Sequence, residues 1–257
     1  MKTPAAKSFR LQAALAATVL AAAGTIGGAV LLTRGPAGDL SLLPDTVPVA
    51  VTLAESDGPR PLWVQRDEVT VAQWNACFDA GGCGFGLPVR SGSDAATTPA
   101  TGLSYPDTQQ YTAWISDRTG HPFRLPDLAE WEVLAASVLH DDPDPIFTDP
   151  NMSWASSYLL DGRQDRVLRP SGAFSTSADG VRDLDGSVWE WTTDCYAGSA
   201  GEVDPDRCPA FWVGGEHLSA IPFLERDPAR GGCAVGAPPA HLGMRLVTDR
   251  EPPTPRS

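Results

Sequence analysis

The sequence predicts an α+β chain that is rich in loops and low in regular structure. Three observations carry that expectation. The 257 residues include 25 glycines and 24 prolines, many in turn-forming pairs, which leaves room for short strands and few helices. Three positions read as helix starts with a reciprocal side-chain cap, at Thr70, Ser104 and Asp127. Two short apolar runs, "VPVAVTL" and "PLWVQR", are separated by the polar turn "AESDGPR", as in a strand pair. The length suits one core of about 180 to 200 residues with extensions. The net charge of −13, with acids spread along the chain, argues against a nucleic-acid partner.

The first element is an N-terminal transmembrane or signal helix. Lys2, Lys7 and Arg10 precede the uncharged run "LQAALAATVLAAAGTIGGAVLLT", Leu11 to Thr33. Positive charge before an apolar run is the export pattern. The run is close to the ~20 residues that span a bilayer. It also continues past the small-residue site "LAAAG", which favours an uncleaved anchor over a cleaved signal. The basic end stays in the cytoplasm, so the rest of the chain is expected outside: in the periplasm, anchored in the inner membrane, or secreted. Residues 1–33 are thus the anchor and 34–45 a linker. Residues 46–249 form the folded domain and 250–257 a frayed tail.

Within the domain, Thr70 and Gln73 open a helix carried by "VAQWNACFDA" and ended by a glycine pair. Residues 84–100 are loop. Ser104 and Asp107 open the second helix, with Pro106 in the first turn, where its missing N–H is harmless. Tyr111, Trp114 and Ile115 share one face and Gly120 stops it. "HPFRL" reads as a short strand. Asp127 and Glu130 open the third helix, "LAEWEVLAASVL", with a core-facing stripe of Leu128, Trp131, Leu134 and Leu139. Beyond Asp141 the chain reads as loops and short strands, beginning with the acidic run "DDPDPIFTDP". That run reads as a solvated loop ahead of a metal site.

The five cysteines are Cys77, Cys83, Cys195, Cys208 and Cys233. Outside the membrane, local pairs favour disulfides over metal ligation. The spacing points to Cys77–Cys83 and Cys195–Cys208, leaving Cys233 either buried and inert or a reactive thiol. No Cys/His spacing suggests zinc. His121, His140, His217 and His241 show no metal-pair spacing either.

"GVRDLDGSVWEWTTD", Gly180 to Asp194, is the segment densest in chemistry. Asp183, Asp185, Gly186 and Glu190 put oxygen donors and a turn within eight residues, as hard cations require. Trp189 and Trp191 alternate with Glu190, so both rings can point to one face of a strand and the carboxylate to the other. A tryptophan-anchored core strand with a surface acid explains the same pattern.

Four segments in order, "RDEVTVAQWNACF", "GLSYPDTQQYTAWISDRTGHPFRLPDLAEWEVLAA", "GVRDLDGSVWEW" and "VGG…HLGMRLV", resemble the formylglycine-generating enzyme family, also called sulfatase-modifying factor domains. The resemblance covers about Pro61 to Thr248. It implies a fold related to C-type lectins, with twisted antiparallel strands and a pair of helices. It also implies structural calcium. The matching ligands are the Asp183 side chain, where the family commonly has Asn, the Gly186 and Val188 carbonyls, and the Glu190 side chain. A second family calcium site falls near "SWASSYLLDGR", without ligands that can be matched.

The resemblance further implies where the family's copper-binding cysteine pair belongs, four and nine positions after the second glycine of "VGG". Counted from Gly215, those positions hold Ser219 and Leu224. Copper(I) needs soft thiolate ligands, which a hydroxyl and an aliphatic chain do not supply. Copper is therefore not expected, and the chain reads as a family member without the dithiol: a pseudoenzyme with respect to the family's chemistry. Glu216 and His217 follow the glycine pair, but neighbours on a strand point to opposite faces. They, with Cys233, are minor catalytic candidates. The leading functional expectation is an extracytoplasmic binding or accessory module. It would accept a peptide or protein partner in the family's substrate groove, with maturation of a periplasmic metalloenzyme as one such task. Two alternatives stand beside it. One is a periplasmic tailoring oxidase with non-cysteine chemistry, in which Glu216 or Glu190 serves as general base. The other is a true formylglycine-generating oxidase using Cys233.

Overall fold

The computed structural model describes residues 38–54, 57–139, 167–196, 207–228 and 240–254. The N-terminal apolar run, His140, the acidic run after it, "SWASSYLLDGR" and Cys233 lie outside the described residues. Within them, no helix is long and apolar enough to cross a membrane.

Strand β1 (Thr46–Val51) and strand β2 (Arg60–Gln65) form the expected antiparallel pair, in register Thr46↔Gln65 to Val51↔Arg60. Val47, Val49 and Val51 alternate inward with period two, so one face of the pair is a core face. Helices α1 (Val71–Asp79), α2 (Tyr105–Thr119) and α3 (Leu128–Ala135) all begin with complete capping boxes at Thr70, Ser104 and Asp127. Gly120 ends α2 at a left-handed φ of 65°, a conformation that glycine adopts without strain. The expected strand at "HPFRL" shrinks to one bridge, Arg124 with Val247. Its side chains have other work: Arg124 binds both oxygens of Glu130, inside the α3 cap. Residues expected as linker are docked. Leu40–Leu42 form a short 3-10 turn, the Asp39 N–H donates to the Arg118 carbonyl, and Leu42 and Leu43 pack on the core.

The remaining strands are β3 (Val188–Cys195), β4 (Ala210–Gly214), β5 (Leu218–Pro222), β6 (His241–Gly243) and β7 (Val247–Thr248). One sheet has the order β1-β2-β7, and the second β5-β4-β3-β6, with β3 and β6 parallel and its other pairs antiparallel. The architecture is mixed α and β with few helices. Two apolar clusters fill it. One joins α1, α2 and the four-stranded sheet around Trp74, Tyr111, Trp189 and Trp191. The other joins α3 and the β1–β2 pair around Trp131, Leu62 and Val64. Disulfides Cys77–Cys83 and Cys195–Cys208 close the turn after α1 and link the end of β3 to the residues before β4.

Candidate functional site

Strand β3 is buried on both faces, and this decides the fate of Glu190. Trp189 and Trp191 point into the first cluster, where the Trp191 indole N–H donates to the Leu103 carbonyl at 2.7 Å. Glu190, on the opposite face, is fully buried rather than a surface acid. Its Oε2 accepts from the Trp131 indole at 3.0 Å, and Arg245 reaches both of its oxygens, with Nη2 2.7 Å from Oε1. Arg245 is equally buried. Its other N–H groups donate to the carbonyls of Gln65, Arg66 and Arg182 at 2.7 to 2.9 Å, so one guanidinium joins β2, β3 and the loop before β3. Burial pulls the Arg245 pKa down, but the Glu190 and Glu68 carboxylates more than offset that.

Asp183 holds a left-handed φ of 62°, alone among the described residues other than glycine. Asp and Asn tolerate this region best after glycine. Its two oxygens accept from the amides of Gly172 and Phe174. The carboxylate thereby folds the 172–174 turn onto the start of the "DLDG" segment. Asp183 and Glu190, two of the expected calcium ligands with the Gly186 and Val188 carbonyls, are thus already engaged. An ion there would have to share their oxygens with, or displace, two amides at Asp183 and a guanidinium and an indole at Glu190. Among the described residues, no group of three or more His, Cys, Asp or Glu side chains is placed to hold a metal.

The glycine pair owes its identity to close approach. Gly214 lies opposite Glu190 in the β3–β4 ladder, and Gly215 opens the bend into β5. A Cβ on Gly214 would sit 2.2 Å from the Trp131 ring, and one on Gly215 2.4 Å from the Trp189 ring. The hairpin is thus laid across two indoles, one from each cluster. His217 follows in the bend with its ring edge-on to Trp189, centroids 4.5 Å apart, and Glu216 beside it is half-buried. Ser219 is buried on β5 opposite Val213, whereas Leu224, in the turn after β5, is 65% exposed. The pair expected at the cysteine positions therefore offers a buried hydroxyl and an exposed aliphatic chain, neither of them a soft donor.

Three charged residues, Arg226, Glu68 and Arg245, were in view in the sequence without a role. Arg226 grips Asp107 through both oxygens at 2.7 and 2.8 Å and lies 4.9 Å over the Phe85 ring. It pins the segment after β5 to the first turn of α2. Burial raises the Asp107 carboxyl, and its bonds to Arg226 and Ser104 bring it below the ordinary range. Glu68, between β2 and α1, is 2% exposed. Burial pushes its carboxyl up to about 8; Arg245 pulls it down, and Glu190 and Asp183 push it further up. The signal for Arg245 was its place inside the apolar stretch "HLGMRLV": a guanidinium there has to find a buried carboxylate.

Comparison with known proteins follows the same segments. The family described as "Sulfatase-modifying factor enzyme 1-like domain" matches residues 30–250. The "Formylglycine-generating enzyme" of Mycobacterium tuberculosis is 28% identical over 184 residues, 61% of this chain. The chain spans 59% of that relative's length. Among solved structures, PvdO from Pseudomonas aeruginosa is 18% identical with a TM-score of 0.48, covering 80% of this chain and 92% of its own. Treponema denticola variable protein 1 is 16% identical with a TM-score of 0.48, covering 80% and 95%. CarF is 18% identical with a TM-score of 0.49, covering 80% and 98%.

Proposed function

Because the chain belongs to the sulfatase-modifying factor enzyme 1-like domain family, we propose that it is a formylglycine-generating-enzyme-like module that works by binding rather than by copper-dithiol oxidation. The observation that carries this is the donor set beyond the glycine pair: a buried Ser219 and an exposed Leu224 at the two positions where the family resemblance puts thiols. The scaffold around them supports a kept shape with changed chemistry. The Trp131 and Trp189 platform lies against the hairpin, the Glu190–Arg245 pair braces β3 beside it, and the Arg226–Asp107 clamp holds the segment after it. Such a surface suits an accessory module for a peptide or protein partner, and maturation of a periplasmic metalloenzyme is one task it suits.

The finer fold reading, a C-type-lectin-like domain, rests on the segment resemblance. The extracytoplasmic placement rests on the basic-then-apolar N-terminus and is supported by two disulfides, which persist in oxidising compartments. The test is conversion of a cysteine-containing peptide in the presence of copper(I) and oxygen. The expected result is no aldehyde product by mass spectrometry. Aldehyde formed at a rate proportional to protein would overturn the reading and return attention to Cys233.

A further inference from the structure

The two sheets differ at their outer edges. In the first sheet the outer strand is β1. The Arg66 N–H donates to the Asp45 carbonyl at 2.8 Å, so by alternation the main chain of Val47, Val49 and Val51 faces β2, and that of Thr46, Pro48 and Ala50 faces away. Pro48 stands in the middle of that outward row without an N–H, which blocks pairing with a further strand. In the second sheet the outer strand is β5. The Phe223 N–H donates to the Pro209 carbonyl at 3.1 Å and the Tyr196 N–H to the Ala210 carbonyl at 2.8 Å, so the odd-numbered residues of β4 face β5 and the even-numbered ones face β3. In β5, the main chain of Ser219 and Ile221 therefore faces β4, and that of Leu218 and Ala220 faces away. No proline interrupts this row. Pro222 ends the strand, and its carbonyl is taken by the Glu225 N–H at 2.9 Å. The opposite edges, at β6 and β7, are met by the Leu103 N–H and by Arg124.

Leu218 and Ala220 thus present two N–H donors and two carbonyl acceptors, and no hydrogen bond reaches these groups from any described residue. Both residues keep solvent-accessible surface, and for Ala220, whose side chain is one methyl, that surface lies at the strand itself. The surroundings are acidic. Glu216 precedes the strand, and Glu225 and Asp227 follow it. The cation among them, Arg226, is gripped by Asp107 at 2.7 and 2.8 Å. Apolar surface lies alongside: Ala220 is opposite Trp212, and Phe223 and Leu224 are 37% and 65% exposed.

We propose that the β5 edge takes up an extended peptide segment of a partner protein, basic at its ends and apolar between, as an added strand. The inference rests on the reading of this chain as a binding module and gives that binding its form. A strand laid there exchanges main-chain hydrogen bonds with Leu218 and Ala220, as in strand addition to an open sheet edge. Alternate side chains of the added strand lie over Leu218 and Ala220, and its ends meet Glu216 on one side and Glu225 and Asp227 on the other. The same charges disfavour a second copy as the occupant. Pairing β5 with β5 brings together two chains of net charge −13.

The test is an NMR titration of the isotope-labelled full chain with the peptide acetyl-Lys-Val-Thr-Val-Lys-amide, read at the Leu218 and Ala220 amides. The comparison peptides are the acidic acetyl-Glu-Val-Thr-Val-Glu-amide and two forms of the basic peptide, one N-methylated at both valines and one at the threonine. Saturable binding of the basic peptide, with hydrogen exchange slowed at Leu218 and Ala220, is the expected result. The acidic peptide and one of the two N-methylated forms should bind at least about tenfold more weakly, because only one row of peptide amides faces the edge. Ala220→Pro removes an outward donor and spares the pairing with β4, so it should abolish the response. The peptide comparisons stand as a test even if that variant does not fold. No saturation, equal binding of the acidic peptide, full binding of both N-methylated forms, or slowed exchange only away from β5 would each overturn the proposal. So would exchange at Leu218 and Ala220 that slows with protein concentration alone, which gives the edge to a second copy. Failure here leaves the non-oxidative reading standing, whereas aldehyde formed from a cysteine-containing peptide overturns that reading.

Discussion

Arg245 Nη2 lies 2.7 Å from Glu190 Oε1, and neither side chain has any exposed surface. The pair ties the "WEW" strand to the stretch that runs into β7, and it fills the place where a metal was expected from the pattern of carboxylates. Removing one partner of such a pair leaves a buried charge and costs about 3–5 kcal/mol, whereas replacing both with apolar residues costs much less. Arg245→Met should therefore destabilise strongly in urea unfolding, and Arg245→Met with Glu190→Leu should recover a large part of the loss. Additive losses in the double-mutant cycle would contradict the pairing.

Calcium should leave the melting temperature unchanged, because Asp183 and Glu190 are already engaged by two amides, an indole and a guanidinium. Melting curves in calcium and in chelator should superimpose. A calcium-dependent rise that Glu190→Ala abolishes would show that the ion displaces Arg245.

The glycine pair is open to direct mutation. With a Cβ built 2.2 Å from Trp131 or 2.4 Å from Trp189, either ring has to move. Gly214→Ala and Gly215→Ala should each cost about 1–3 kcal/mol by overpacking, read from denaturant midpoints. A substitution without effect at either position would mean that the hairpin does not rest on the indoles.

The elevated Glu68 pKa has a signed consequence. Unfolded, this carboxyl ionises near 4.5; folded, it holds its proton up to about 8. Between those values the folded state binds more protons, so this group's contribution to stability falls as pH rises from about 4.5 to about 8 and then levels off. Arg245, Glu190 and Asp183 act on Glu68 directly, and Asp45, Gln65 and Asp67 line a cavity with it before α1. Glu68→Gln should remove that part of the slope in stability against pH. A slope identical to wild type across this window would contradict the assignment.

The two disulfides should differ in weight. The Cys195–Cys208 bridge spans 13 residues and the Cys77–Cys83 bridge 6. By loop-closure entropy they contribute about 3 and about 2 kcal/mol respectively. Paired Cys→Ser variants compared by chemical denaturation should preserve that order.

Much of the fold was legible because its signals are local. Thr70, Ser104 and Asp127 announce helix starts through their own cap partners three residues on, and Val47, Val49 and Val51 declare a buried face by alternation. What depends on distant partners was not legible. "HPFRL" has strand composition, but its backbone pairs only at Arg124, with Val247, while the Arg124 side chain reaches Glu130 and Asp249. Asp183 and Glu190 read as cation ligands because composition does not reveal which donors will meet them. One is met by amides through a left-handed turn, the other by an arginine 55 residues away. The glycine pair reads as a turn signal, yet its reason is two tryptophan faces from different elements. Glu68 and Gln65 carry no pattern at all; only their shared cavity singles them out.

Retention of copper is the measurement that bears most directly on the central claim. The full chain would be loaded with copper(I) under reducing conditions, challenged with a copper(I) chelator, dialysed and analysed for metal content. The account predicts no stoichiometric copper, because Ser219 and Leu224 supply no thiolate. Copper retained at one ion per chain, and lost when Cys233 is changed to Ser, would contradict it and make this chain an oxidase with a rebuilt site.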